Sequence, residues 1–417
     1  MSKQTAVGIA VFVILLVCAA AGAYYVGSRQ NDESNDAIVN QVPRAEEDVE
    51  NEADGEDVVP AVAERIEWTQ TGFLNFADTA VSNVPDMLVD RDGHTVYAAY
   101  YDENRQSYVA TSRDVGKTWS VVALPEGVIN PRALRQLSDG SLLLGVSSTA
   151  PSAILYRSDD GAKWEPLGVD ATLGELLPND YAATTWDILE LGDGTVLLAT
   201  DSLRNDLTKE NPSIHLLRDG NKIEPRGSLP GIGVLSLALG KDGTVFASTE
   251  ESPEHDDPAN AGQAHVFRSS DKGLTWSETG PLEGANRVYQ LYVNRQGTIF
   301  AGTGISGEFY RSKNGGASWE KMSHVPASML ARGEDGKPTS LDASRVYSIL
   351  ELQDGRMVVG TGNKAGDAFA TSDEGQTWET TGTLGPNNVV WSLSQASDGT
   401  IWVGTGSSVG DIFIWKP

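Results

Sequence analysis

Five stretches of this sequence repeat one spacing around a tryptophan: TSRDVGKTW from Thr111, RSDDGAKW from Arg157, SSDKGLTW from Ser269, SKNGGASW from Ser312 and TSDEGQTW from Thr371. Counted back from Trp119, Trp164, Trp276, Trp319 and Trp378, the third residue is always glycine, Gly116, Gly161, Gly273, Gly316 and Gly375. The fifth is a short acid or amide, Asp114, Asp159, Asp271, Asn314 and Asp373. Such a side chain bonds backbone N–H groups two or three residues on and holds a tight turn. The glycine supplies a left-handed backbone without steric cost. The indole then stands where it buries its ring between layers of sheet. Each copy predicts a hairpin turn between two strands.

A second pattern fills the space between these turns. A β-rich run, an Asp-Gly-type turn and another β-rich run recur around Gly93, Gly140, Gly194, Gly243, Gly297, Gly355 and Gly399, 44 to 58 residues apart. This is the hairpin signature, and four strands per period of that length is a propeller blade. The expected fold is all-β: a seven-bladed β-propeller of four-stranded blades over residues 64–417. Blade three has only a degenerate second turn after His215, and blade seven ends at DIFIWKP, one strand short. WTQTG at Trp68–Gly72 parallels WSETG at Trp276 and WETTG at Trp378, so it is expected to supply the missing strand and close the ring.

The tryptophan-anchored turns resemble the Asp-box, or BNR, repeat of sialidase-like proteins. The blade from Val84, with its turn, is similar to the first blade of that family. The resemblance implies a propeller and, in its catalytic members, glycan hydrolysis. Those members carry an Arg-Ile-Pro motif before the first strand; here Asn83 and Val84 precede Pro85, and that Arg is absent. The family's Tyr–Glu nucleophile pair and acid Asp have no matching positions. Xyloglucanase-type hydrolases carry the same boxes, usually on two propellers. The layout is also similar to photosystem II assembly-factor propellers and their bacterial relatives, which implies a role in binding protein partners.

Ahead of the repeats, residues 5–26 form an apolar run without a charge, long enough to cross a bilayer as a helix. Lys3 before it and acids after it suit an N-in, C-out anchor within residues 1–27. The alternative is a cleaved signal peptide with a small-residue site at Ala21–Ala23. Both export the propeller, to the periplasm or the extracellular space. Residues 28–63 are expected to be a disordered tether: from Asp32 to Asp57 there are eleven acids against one base, Arg44. The formal net charge of −27 excludes nucleic acid as the main ligand. Cys18 is the single cysteine, so no internal disulfide forms. No cofactor motif is present. The five histidines show no zinc spacing, and the acidic loop at 250–257 lacks the ligand spacing of a calcium site, so no metal is expected.

In a propeller the short turns share one face and the long connections the other, where binding tends to reside. Aligning the first strands of the blades gives a polar column: Asp86, Arg132, Asp187, Ser236, Gln290, Ser348 and Ser392. The column before it is apolar or aromatic: Pro85, Pro131, Trp186, Leu235, Tyr289, Tyr347 and Trp391. Arg287 and Arg345 stand two residues before the tyrosines. These residues mark a candidate channel-mouth site for an anionic or glycan ligand, or for a protein partner at the membrane, with guanidinium forks suited to carboxylates. Two functions compete. One is a membrane-tethered binding or assembly module without catalysis. The other is a glycoside hydrolase using Asp86 and Asp187 as its carboxylate pair.

Overall fold

The computed structural model describes residues 66–73, 80–148, 153–167, 183–200, 213–230, 233–250, 264–285, 287–304, 307–323, 325, 345–362, 367–384, 389–407 and 409–416. The expected anchor, the tether and the acidic loop past residue 250 lie outside them. No helix among the described residues is long and apolar enough to cross a membrane.

Strands account for nearly all regular structure, and they pair in antiparallel runs of four. In the first unit Val81–Val89 pairs with Val96–Asp102, then Ser107–Ser112, then Ser120–Ala123. The first strands of the later units are Val128–Gln136, Ala183–Glu190, Gly233–Leu239, Val288–Val293, Arg345–Glu351 and Val389–Gln395. Each first strand lies against the first strand of the next unit, and the one at Val389–Gln395 lies against Val81–Val89. The unit that begins at Val389 has three strands of its own, ending in Ile412–Trp415. Its fourth is Thr69–Gln70, with Thr69 opposite Ile414 and Gln70 opposite Phe413. The Thr71 N–H extends this seam to the Ile412 carbonyl at 3.0 Å.

The second strand of each unit is buried on both faces: Val96–Asp102, Leu142–Ser148 and Ile401–Gly406 are buried at every residue. That is why they read as continuous apolar and small runs rather than as alternation. The core is divided accordingly, one cluster between each consecutive pair of units. Leu144 and Tyr97 share one, Leu143 and Leu198 another, and Trp402 joins Trp119 and Phe73 across the seam. Each fully buried leucine or phenylalanine contributes about 2 kcal/mol. Glycines permit the close approach. A Cβ on Gly404 would meet the Val84 carbonyl oxygen at 2.8 Å.

Candidate functional site

In five of the first strands one residue is left out of the ladder, and the first strands of the first two units each carry two such shifts. Thr185 pairs with Thr200 and Asp187 with Ala199, skipping Trp186. The same shift skips Leu235, Tyr289, Tyr347 and Trp391 in the next four units. A bulge of this kind bends the strand and re-aims the extra side chain. In the second unit the shift between Pro131 and Ala133 skips Arg132. Arg132 therefore belongs to the bulged column, and Ala133 holds its place in the polar one. The column alignment expected from sequence was out by one residue there, because a bulge adds a residue that strand patterning does not register.

The bulged side chains meet their neighbours. Tyr289 and Tyr347 have ring centroids 4.9 Å apart, and Tyr347 and Trp391 4.4 Å, tilted near 50° in both pairs. Trp391 Nε1 donates to Asn83 Oδ1 (2.7 Å), and Asn83 Nδ2 donates to the Tyr101 hydroxyl (2.5 Å). Guanidinium groups lie on this arc: Arg287 at 4.6 Å and Arg345 at 5.5 Å from the Tyr289 ring, Arg105 at 5.1 Å from Tyr101. Each such contact is worth about 1 kcal/mol. Arg287 Nη1 also donates to its own Tyr289 hydroxyl (3.1 Å), and Arg345 Nη1 to Tyr347 (3.2 Å). The arc crosses the seam from Tyr289 to Tyr101 without a break. Asn83, Tyr101 and Arg105 were not singled out from sequence; they lie in the first unit, whose strand carries two irregularities and no aromatic bulge. Arg132 stands in another sector, 4.6 Å over the Trp186 ring, with Nη2 donating to the Asn130 amide oxygen at 2.8 Å.

The polar column does different work. Asp86 Oδ2 accepts the Leu134 N–H of the next unit (2.8 Å), and Asp187 Oδ2 accepts the Leu237 N–H (2.9 Å). Ser236 Oγ accepts the Leu291 N–H (3.1 Å), while Ser348 Oγ donates to the Val390 carbonyl (3.5 Å). Gln290 bonds within its own strand, to the Leu291 carbonyl (3.1 Å). Most of the column thus staples one first strand to the next and satisfies backbone groups that sheet pairing leaves open. Arg135 completes it, with Nη1 on Asp86 (2.8 Å) and Nη2 on Asp187 (2.7 Å), tying three units together. Burial outweighs Arg135 and the backbone bonds and raises the Asp86 carboxyl above its usual range. The two carboxylates keep Arg135 protonated. Asp86 and Asp187 are thus both engaged by one guanidinium and by backbone N–H donors of the next unit.

On the turn face the repeated hairpins have one hydrogen-bond plan. Asp271 Oδ1 accepts the Thr275 N–H (2.8 Å) and Oδ2 the Thr275 hydroxyl (2.6 Å), while Ser269 Oγ accepts the Gly273 N–H (2.8 Å). Asp114, Asn314 and Asp373 accept equivalent N–H bonds from Thr118, Ser318 and Thr377. Trp119, Trp164 and Trp276 donate Nε1 to the turn glycine's carbonyl. Trp319 and Trp378 donate instead to Thr279 and to the Ser323 carbonyl. The second copy differs from the expectation. Asp160, not Asp159, accepts the Ala162 N–H (2.8 Å), and Ser158 takes the Gly161 N–H (2.9 Å). Asp159 is 88% exposed and only faces Arg157. This turn is one residue shorter between its acid and its glycine, and counting back from the tryptophan missed the change.

Among the described residues no group of His, Cys, Asp and Glu forms a metal cluster. His215 is fully buried, its Nδ1 3.2 Å from the Thr200 hydroxyl, and burial lowers its pKa to about 4. It is a neutral part of the third unit's packing.

A family model described as the two component regulator propeller matches residues 384–407, a span that includes the first two strands of the last unit. No curated protein matches the chain. Among solved structures it is similar to a catalytically inactive virginiamycin B lyase from Staphylococcus aureus with quinupristin, at 16% identity and a TM-score of 0.59, covering 84% of this chain and 99% of that one. It is similar to YCF48 bound to D1 peptide, at 13% identity and a TM-score of 0.54, covering 85% and 96%. It is also similar to the extracellular domain of a hybrid two component system from B. thetaiotaomicron, at 10% identity and a TM-score of 0.56, covering 84% and 41%. These likenesses show the fold, an all-β propeller.

Proposed function

We propose that residues 64–417 form a closed ring of seven blades that lies outside the cytoplasm, held to a membrane by residues 5–26 through the tether at 28–63. The ring acts as a non-catalytic binding or assembly module whose contact site is the mouth carrying Tyr289, Tyr347, Trp391, Arg287 and Arg345. The circle of first-strand contacts and the strand Thr69–Gln70 on the last unit support the ring. One observation carries the functional reading: an unbroken aromatic arc from Tyr289 to Trp391 with guanidiniums on its faces. Bulges place its rings side by side, and rings with forked cations suit a peptide that offers apolar and carboxylate side chains. The similarity to a propeller solved with a peptide and to the extracellular domain of a hybrid two component system favours the same reading. The fold itself decides nothing, since a lyase shares it. Hydrolysis is disfavoured by the engagement of both Asp86 and Asp187 with Arg135.

The test is capture of a partner from solubilised membranes by the wild-type chain and by Trp391→Ala and Tyr347→Ala. Both variants should keep a single cooperative melting transition, lowered by a few degrees, and retain about a tenth or less of the bound partner, as loss of a central aromatic anchor implies. Turnover of a glycoside panel, abolished by Asp86→Asn or Asp187→Asn, would establish the hydrolase instead.

A further inference from the structure

Between the fourth and fifth units, beside the turns, lies a cleft of about 590 Å³ lined by Lys241, Phe246, Arg268, Ser277 and Gly315 among others. Internal repetition says what it lacks. Arg268 pairs in register with Phe246 and Ser277; one unit on, Arg311 pairs with Phe300 and Glu320. The two arginines hold equivalent positions. Arg311 holds two carboxylates: Nε meets Glu320 at 2.9 Å and Nη1 meets Glu374 at 3.0 Å. Glu374, which also takes Lys313 at 2.7 Å, sits at a left-handed position of the following turn, with φ 59°. The equivalent residue facing Arg268 is Gly315, with φ 67°. A hydroxyl and a glycine thus replace both carboxylates. Arg268 is left with the Gly315 carbonyl oxygen (3.1 Å) and no ion pair among the described residues.

The second cation of the cleft repeats the pattern. Lys241 Nζ donates to the Arg295 carbonyl (2.8 Å). Arg295, its counterpart in the next unit, instead has Glu351 at 3.3 Å. The Glu351 position in the fifth unit is Val293, opposite Ile299 as Glu351 is opposite Met357. One carboxylate, Asp242, does line the cleft, but it accepts the Thr244 N–H of its own turn (3.0 Å). In a chain of formal charge −27, two neighbouring cations without carboxylate partners run against the surroundings.

We propose that this cleft binds carboxylate-bearing ligands, the bound carboxylate taking at Arg268 the place Glu374 takes at Arg311. The guanidinium fork matches a carboxylate in two parallel bonds, and Lys241 adds a point charge beside it. The site stands apart from the aromatic arc and does not depend on its function.

The test is calorimetric titration of the full chain at low ionic strength, where exposed charges are least screened. The probes are a hexaglutamate peptide and citrate. At least one should bind, and Arg268→Gln should weaken it by about tenfold. Gly315→Glu should abolish binding by supplying the missing carboxylate from within. That variant is expected to fold: a Cβ there meets nothing within 4 Å, and Glu374 already adopts the same backbone conformation. Lys117→Gln, at an exposed lysine of another unit, should bind normally. Binding of the peptide alone points to a protein source for the carboxylate; binding of citrate alone points to a metabolite. No binding of either probe, binding indifferent to Gly315→Glu, or an equal loss in Lys117→Gln would overturn the proposal.

Discussion

Arg135 holds carboxylates from the units on either side of its own, and its removal would leave Asp86 and Asp187 without their counter-charge. Arg135→Met should cost about 2 kcal/mol in urea unfolding at pH 7, below the usual loss for a broken buried pair because the side chain is 37% exposed. The sign of the pH dependence follows from Asp86. A carboxyl whose folded-state pKa lies above its unfolded value favours folding when protonated, so the deficit should shrink as pH falls through that raised value. A deficit that stayed constant as the pH is lowered until Asp86 protonates would mean that packing, not charge, was lost. Arg135 was not legible in the sequence. Its equivalents by register include the apolar Leu88, Leu189, Ala238 and Leu350, and a hydroxyl at Ser394 that accepts the Val89 N–H (3.3 Å). Only the positions of Asp86 and Asp187 give this one its role. Arg287 and Arg345 were visible because each precedes an aromatic residue by a fixed two positions.

At the level of the element, the tryptophan turns were legible because the bonds of their acid and hydroxyl to the turn backbone are local: acid, hydroxyl, glycine and tryptophan lie within nine residues. The two errors had the same origin, a length change of one residue, in the short turn at Asp160 and in the bulge at Arg132. Patterns anchored at one end carry such a shift through unnoticed. The turns also predict how the molecule responds to acid. The Thr275 hydroxyl and N–H hold Asp271 down to about 2, Thr118 lowers Asp114, and the Ala162 N–H lowers Asp160. A depressed folded-state pKa gives stability that is complete above the unfolded value of about 3.9 and is lost as pH falls below it. The melting temperature should therefore drop between about pH 4 and about pH 2. Asp271→Ala should lower it at pH 6 and flatten the drop, since its share is then already gone. A variant with the full wild-type acid response would show that these carboxylates do not couple to folding.

For the whole molecule, the decisive element is the two-residue strand Thr69–Gln70. Among the described residues each cluster of core residues is shared by two consecutive units, so no unit buries its faces alone. Deleting residues 64–72 should lower the melting temperature of the entire ring in a single transition, because it uncovers the last unit and both its neighbours. An unmoved transition would show that the strand is dispensable. The hydroxyl of Thr71 on the Ile412 carbonyl joins positions 341 residues apart. A chain made and threaded from its amino end therefore presents one half of this clasp first and must wait for nearly all the rest before the other half arrives. Until then the circle stands open, and any factor that keeps that early strand from straying to a neighbouring chain governs how much protein reaches its finished form.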